Sequence, residues 1–219
     1  MIEKSTLNFL KAIKKNNNKE WFDKNKPRYL AAKENIENFI GEILKHIIAF
    51  DKRYAGLEAK KCTYRIYRDV RFSKNKTPYK SNLGASINIG GKKVMNAGFY
   101  IHIEPGKSLM ACGMWMPPAD QLKKIRQEID YNAKEFHKIL NNKTFKKNCG
   151  EIDKEYTLKT TPKGYSKEHP EMEFLKLTSF IAWHEFKDAV VMKKNFAKEV
   201  GKVAESMKPF IDFLNAALD

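Results

Sequence analysis

The stretch Ala97-Gly98-Phe99-Tyr100-Ile101-His102-Ile103-Glu104-Pro105-Gly106-Lys107-Ser108-Leu109-Met110-Ala111-Cys112-Gly113-Met114-Trp115 decides the fold. Phe99, Ile101 and Ile103 alternate with Tyr100, His102 and Glu104, the period of two by which a strand presents one apolar face and one face of functional groups. Pro105-Gly106 supplies turn chemistry before a second β-type run, Ser108 to Trp115. Working backwards, Leu83 to Ile89 repeats the alternation, with Leu83, Ala85, Ile87 and Ile89 opposite Ser86 and Asn88, and Gly90-Gly91 marks the turn that follows. Cys62 to Arg68 reads as a further run, and Thr178 to Glu185 as a later strand candidate. An antiparallel meander over about residues 62–115, joined by that later strand, is the economical reading.

The flanks are helical. Ser5 is placed to cap a short helix carrying Leu7, Leu10 and Ile13, which Asn16-Asn17-Asn18 ends before Trp21 and Phe22. A longer helix begins near Pro27, with Leu30, Ile36, Phe39, Ile40, Ile43, Leu44 and Ile47 at helical spacing. Pro117-Pro118 precedes one or two helices holding Leu122, Ile125, Ile129, Phe136 and Ile139. The C-terminus is helical from about Phe196 to Leu214, with a kink or split expected at Pro209. The expected class is therefore α+β: a mainly antiparallel central sheet packed by N-terminal and C-terminal helices, in a single domain over residues 1–219 whose helical portion 5–50 packs on the sheet.

The chain has 219 residues and a formal net charge of +16, but 36 of its 42 basic residues are lysine and only six are arginine. Diffuse lysine charge speaks to solubility before it speaks to a polyanion. Cys62, Cys112 and Cys149 are odd in number, far apart and never in a Cys-x-x-Cys pair, so neither a disulfide framework nor a structural zinc site is indicated. No run approaches the ~20 apolar residues that span a bilayer. The N-terminus lacks the apolar core of a secretion signal. A cytoplasmic protein without a membrane partner is expected.

Three of the six arginines fall within the seven residues Arg65 to Arg71, inside Tyr64-Arg65-Ile66-Tyr67-Arg68-Asp69-Val70-Arg71-Phe72-Ser73-Lys74-Asn75-Lys76-Thr77-Pro78-Tyr79-Lys80. Arginine's planar fork fits a carboxylate or phosphate in a way lysine's point charge cannot, so scarce arginines gathered in one place suggest a shaped anion site. On a regular strand Arg65 and Arg68 point to opposite faces, so a bend near Asp69 is needed to gather them. The loop after it can bring Ser73, Lys76 and Lys80 towards Arg68 or Arg71. The leading expectation is an anionic small ligand, bearing phosphate or carboxylate, held by Arg65, Arg68, Arg71, Ser73, Lys76 and Lys80. In it Asp69 orients an arginine and Tyr79, Tyr100 or His102 lines the pocket. Two other readings stand beside it: an RNA- or DNA-binding module, in which Trp21, Phe22, Tyr79, Tyr100 and Trp115 stack bases, and a structural or interaction protein in which the arginines pair with Asp69, Glu104 or Glu185 and brace the sheet. An enzyme in which Asp69, Glu104 and His102 converge is a further arrangement of the same residues.

Asn17 with Trp21-Phe22, the segment Arg65 to Lys80, Gly98 to Gly106, Pro162-Lys163-Gly164-Tyr165 and His169-Pro170 occur in an order that resembles the bacterial and fungal family catalogued as domain of unknown function 2461. The resemblance runs over nearly the full chain, and the arginine segment is its most specific element. It implies a self-contained cytosolic domain and supplies no activity, cofactor or catalytic residue.

No Gly-x-x-x-x-Gly-Lys-Ser/Thr loop, Gly-x-Gly-x-x-Gly fingerprint or Gly-x-Ser-x-Gly elbow is present, which argues against the common nucleotide-binding and serine-hydrolase designs. The five histidines, His46, His102, His137, His169 and His184, show no metal-ligand spacing, so no metal and no cofactor is expected. His102 stands out among them because it shares a strand face with Tyr100 and Glu104.

Overall fold

Helix α1 (Lys4–Lys15) starts with Glu3, not Ser5, at its N-cap, and the Ser5 hydroxyl donates to the Glu3 carboxylate at 3.0 Å. Asn16 closes it, as its polar run suggests, and the Asn18 side chain caps α2 (Lys19–Lys24) by accepting from the Trp21 amide. Pro27 lies in the first turn of α3 (Lys26–Phe50), where its missing N–H costs nothing. The apolar stripe of α3 runs from Tyr29 through Ile36, Phe39, Ile40 and Ile43 to Ile47. Leu30 falls outside it and is half exposed, because its position in the turn points it away from the neighbouring helices. This computed structural model describes residues 1–219.

The sheet holds four antiparallel strands in the order β1 (Leu83–Ile87), β2 (Gly98–Ile103), β3 (Ser108–Met114) and β4 (Phe180–Phe186). Between β3 and β4 come α5 (Ala119–Tyr131), α6 (Ala133–Leu140), α7 (Lys143–Cys149) and the short α8 (Met172–Leu175). After β4, the one-turn α9 (Asp188–Val191) leads into α10 (Phe196–Ala216), and one contiguous apolar core joins the helices to the sheet. Helix α10 is continuous through Pro209, so the expected split does not occur: proline removes one amide donor, and the buried stripe from Val200 to Leu214 holds the turns on either side.

Helices α3 and α10 pack on the sheet face built from Leu83, Ala85, Ile87, Phe99, Ile101, Met110 and Phe180. Register then sets the opposite face. Ser86 pairs with Tyr100, Tyr100 with Ala111 and Ala111 with Trp183, a row across all four strands, while Gly84, His102, Leu109 and Glu185 form the next row. Alternation, the signal read from residues 99–104, thus delivers a continuous second face to the sheet.

The first run read as a strand is not one. Cys62 ends a one-turn helix, α4 (Ala59–Cys62), and residues 63–80 make only single bridges, Thr63 to Ala85 and Tyr67 to Tyr79. The chain doubles back on itself through Arg68 N–H to the Pro78 carbonyl (2.9 Å) and Lys80 N–H to the Ile66 carbonyl (2.8 Å). Pro78 has no N–H to return, so the ladder cannot continue.

Candidate functional site

The base of the doubled-back segment is pinned to the α1–α2 junction. The Asn17 side chain donates to the Tyr79 carbonyl at 2.8 Å and accepts from the Tyr79 amide at 3.0 Å, pairing with it as a strand neighbour would. The Tyr79 ring, buried, stacks on Phe22 with centroids 4.1 Å apart, and Tyr67 meets the Phe22 edge at 5.7 Å. Replacing Asn17 with Ala leaves both Tyr79 backbone groups without their partner, an expected loss of about 1–3 kcal/mol in urea unfolding.

At its tip the segment turns its polar groups inward. Arg68 donates to the Thr77 carbonyl (2.9 Å), the Thr77 hydroxyl and Ser73 Oγ (3.3 Å), and Lys76 Nζ donates to the Val70 carbonyl at 3.0 Å. Arg71 and Asp69 form a two-pronged pair at 3.0 and 2.7 Å on the surface, and the Arg71 hydrogen bonds hold the Asp69 carboxyl below its usual range. The three arginines therefore do not converge: Arg68 braces the loop, Arg71 pairs with Asp69, and Arg65 is exposed and makes no hydrogen bond from its side chain.

A cleft of about 580 Å³ opens over the second face of the sheet. Gly98, Ala111 and Gly113 contribute to its floor, Ser86, Asn88 and Tyr100 supply polar groups, and Tyr64, Lys80 and Lys92 stand on one side. Both ammonium groups lie against the Tyr64 ring, Lys80 Nζ at 5.3 Å and Lys92 Nζ at 5.5 Å from its centroid, a cation–π arrangement that ties two cations to one ring. Lys92 also donates to the Thr63 carbonyl at 2.6 Å. No carboxylate lines this cleft. Burial, and then the neighbouring Arg65 charge, push the Lys80 ammonium below its usual pKa, as expected of a cation lacking a counter-charge. The other wall is apolar and exposed: Val94, Met95 and Trp115, the last with Tyr156 against it edge-on at 6.3 Å.

A second, polar cleft of about 600 Å³ lies beside the first, lined by Lys14, Asn17, Arg68, Asp69, Thr77 and Asn82 among others, and Lys80 borders both. Of the sequence-derived candidates, Lys80 and Tyr100 line the sheet cleft, and Arg68, Asp69, Tyr79 and Lys80 line the polar one. Arg65, Arg71, Ser73, Lys76 and His102 line neither. His102 sits behind Tyr100 in a hydrogen-bonded chain with Glu104 (3.2 Å), and Glu104 accepts from Lys14 at 3.1 Å and Ser81 at 3.3 Å. Burial alone would raise the Glu104 carboxyl, but hydrogen bonds from Lys14 and His102 outweigh it and hold the group below its usual value. A depressed folded pKa means that this contribution to stability is complete above the unfolded value of roughly 4.3 and is lost as pH falls through the lower folded value. Acid unfolding of the Glu104→Gln variant is accordingly expected to show a shallower pH dependence below about pH 4 than wild type.

Lys92, Lys14 and Asn82 were not legible as site residues. Lys92 and Lys14 are two lysines among 36, and Lys14 reaches Glu104 across 90 residues of chain. Tyr64 heads the arginine segment, and that position was the available signal. No group of three or more His, Cys, Asp or Glu side chains converges in a way that could hold a metal ion.

Comparison with known proteins adds one finding. A family model described as "Conserved hypothetical protein (DUF2461)" matches residues 5–213, in agreement with the resemblance read from the motifs. No curated protein and no solved structure matches the chain.

Proposed function

Since the chain belongs to the conserved hypothetical protein family DUF2461, whose description names no activity, we propose from the site itself that the protein binds a small molecule with a phosphate or carboxylate head and an apolar body. The head lies between Lys80 and Lys92 and the body along Val94, Met95 and Trp115 in the cleft over the sheet. The observation that supports this reading is that two lysines, Lys80 and Lys92, line a concave cleft that contains no carboxylate, each with its ammonium group against the Tyr64 ring. Such a site is electrostatically incomplete without an anion, and concave, partly apolar clefts with a few convergent polar groups are where small ligands bind.

The arginine segment takes a different part from the one its composition suggested. It supplies Tyr64 and Lys80 to the cleft, and Arg68 and Arg71 organise the loop that follows Tyr67. A ligand that binds only the folded chain raises its thermal stability. Phenyl phosphate and benzoate are expected to stabilise wild type more than inorganic phosphate does, and the Lys80→Met variant is expected to lose the response. Losing one charge-assisted contact of about 1.5–3 kcal/mol weakens binding roughly tenfold to a hundredfold. A response confined to short RNA or DNA, falling steeply with salt, would replace this reading with the nucleic-acid one. Equal responses from wild type and Lys80→Met would remove the proposed head-group site.

A further inference from the structure

We infer that Tyr100, His102 and Glu104 form a proton-transfer chain that takes a proton from a hydroxyl group of the ligand in the cleft over the sheet, so that the site is catalytic as well as a receptor. The inference rests on the ligand reading above for the position of the substrate, and it names the substrate class further: an anionic, apolar-bodied small molecule carrying an O–H group.

Strand alternation puts the three side chains on one face of β2, but alternation alone does not aim them at one another. Gly84 does. It is paired with His102 on the neighbouring strand, and a Cβ there would stand 2.7 Å from Tyr100 Oη and 3.2 Å from its Cε2, so the missing side chain is the slot in which the phenol lies. The hydroxyl then sits 3.3 Å from His102 Nδ1. Glu104 Oε2, which can only accept, lies 3.2 Å from Nε2 and so draws the ring proton there, leaving Nδ1 to accept, while Asn82 Nδ2 lies 2.9 Å from Nδ1 and 3.3 Å from Nε2. Lys14 and Ser81 fix the far oxygen of Glu104. Tyr100 lines the cleft over the sheet, whereas His102 and Glu104 do not, and their partners Lys14, Ser81 and Asn82 line the polar cleft, so the chain runs from one cleft towards the other.

The step balances without a co-reactant. The ligand O–H bond breaks and its electron pair stays on the ligand oxygen; the proton passes to Tyr100 Oη as the Tyr100 proton forms the new N–H bond at His102 Nδ1. The ligand oxygen gains its negative charge in the cleft that Lys80 and Lys92 border, and the imidazolium gains its positive charge against Glu104. The charged and titratable groups facing the chain are Glu104 on its own strand, Lys14 from α1, and Tyr64 and Lys80 from the arginine segment. Burial, and then Tyr64, push the Tyr100 phenol up to about 12, so it carries a proton at neutral pH and can pass it on only in concert with His102. Tyr100 is the catalytic residue of this scheme. Glu104 is a positioning residue that selects the tautomer and stabilises the imidazolium.

Two measurements on the full chain decide it. Nitrogen-resolved imidazole NMR of the ligand-free protein is expected to show His102 protonated at Nε2 alone near pH 8; the opposite tautomer would overturn the chain, because Nδ1 could then accept nothing. The probe 4-hydroxy-3-nitrophenylacetate, a carboxylate with an aromatic body and a phenol that turns yellow on ionising, supplies the second. Bound to wild type, it is expected to ionise at a pH at least one unit below its free midpoint, with an at least fivefold smaller ionisation ratio at fixed pH in Tyr100→Phe and Glu104→Gln, although equilibrium dialysis still shows binding. Lys80 and Lys92 also favour the phenolate, so an ionisation ratio unchanged in Tyr100→Phe would assign the whole effect to them and overturn the relay. Failure of the probe to bind wild type would count against the ligand reading, and the tautomer alone would then decide the proton chain.

Discussion

Replacing Gly113 with Ala is expected to destabilise the protein by about 4 kcal/mol or more, a large share of the ~5–15 kcal/mol that holds a domain folded. Gly113 lies in β3 with φ at +116°, a conformation L side chains rarely adopt. A Cβ there would meet the Phe180 carbonyl oxygen at 1.9 Å and its carbon at 3.0 Å. Both obstacles are backbone atoms of β4, so relief requires the strands to part where Gly113 pairs with Ile181. The cleft would change with them, since Gly113 and Ile181 both line it. A melting temperature within a few degrees of wild type would mean that β3 and β4 are joined in some other register.

The Phe22→Ala variant is expected to lose about 3–5 kcal/mol, the usual cost of emptying a fully buried phenylalanine site. Phe22 is 1% exposed, stacks on Tyr79 and touches Tyr29 and Tyr67, so it joins α2 and α3 to the doubled-back segment. Its removal should therefore act locally as well as globally. Amide hydrogen exchange at Lys80 and Arg68, whose N–H groups hold the two arms of the segment together, is expected to accelerate more than exchange at Ile101 in the central strand. Uniform acceleration at all three positions would show that Phe22 contributes only to global stability and does not organise the segment.

These two residues also mark how far local sequence reaches. The alternation of Phe99, Ile101 and Ile103 with Tyr100 and His102 was enough to place β2 and to separate its core face from its polar face, because a period of two has only one geometric meaning. The run Cys62 to Arg68 has strand-like residues but no strand, since its partner arm carries Pro78 where a donor was needed. The arginine concentration did not foretell a convergence of arginines: Arg68 is taken up by Thr77 and Ser73, and Arg71 by Asp69. Which groups of that segment face the cleft is decided by Asn17 and Phe22 gripping Tyr79 from more than 50 residues away, and by hydrogen bonds that consume Arg68 and Arg71 within the loop. Lys92 was hidden by abundance: a single lysine after Gly90-Gly91 carries no mark until the fold sets it over Tyr64 beside Lys80.

Binding of an anion beside Lys80 and Lys92 is tested most directly by mapping where on the chain it binds. In backbone amide NMR of the full chain titrated with phenyl phosphate, the largest shift changes are expected at Lys80, Lys92, Gly98, Tyr100, Ala111 and Gly113, and the Lys80→Met variant should weaken them roughly tenfold or more. Changes concentrated instead between Asp69 and Thr77, surviving Lys80→Met and lost in Arg71→Ala, would contradict the account and return the site to the arginine loop.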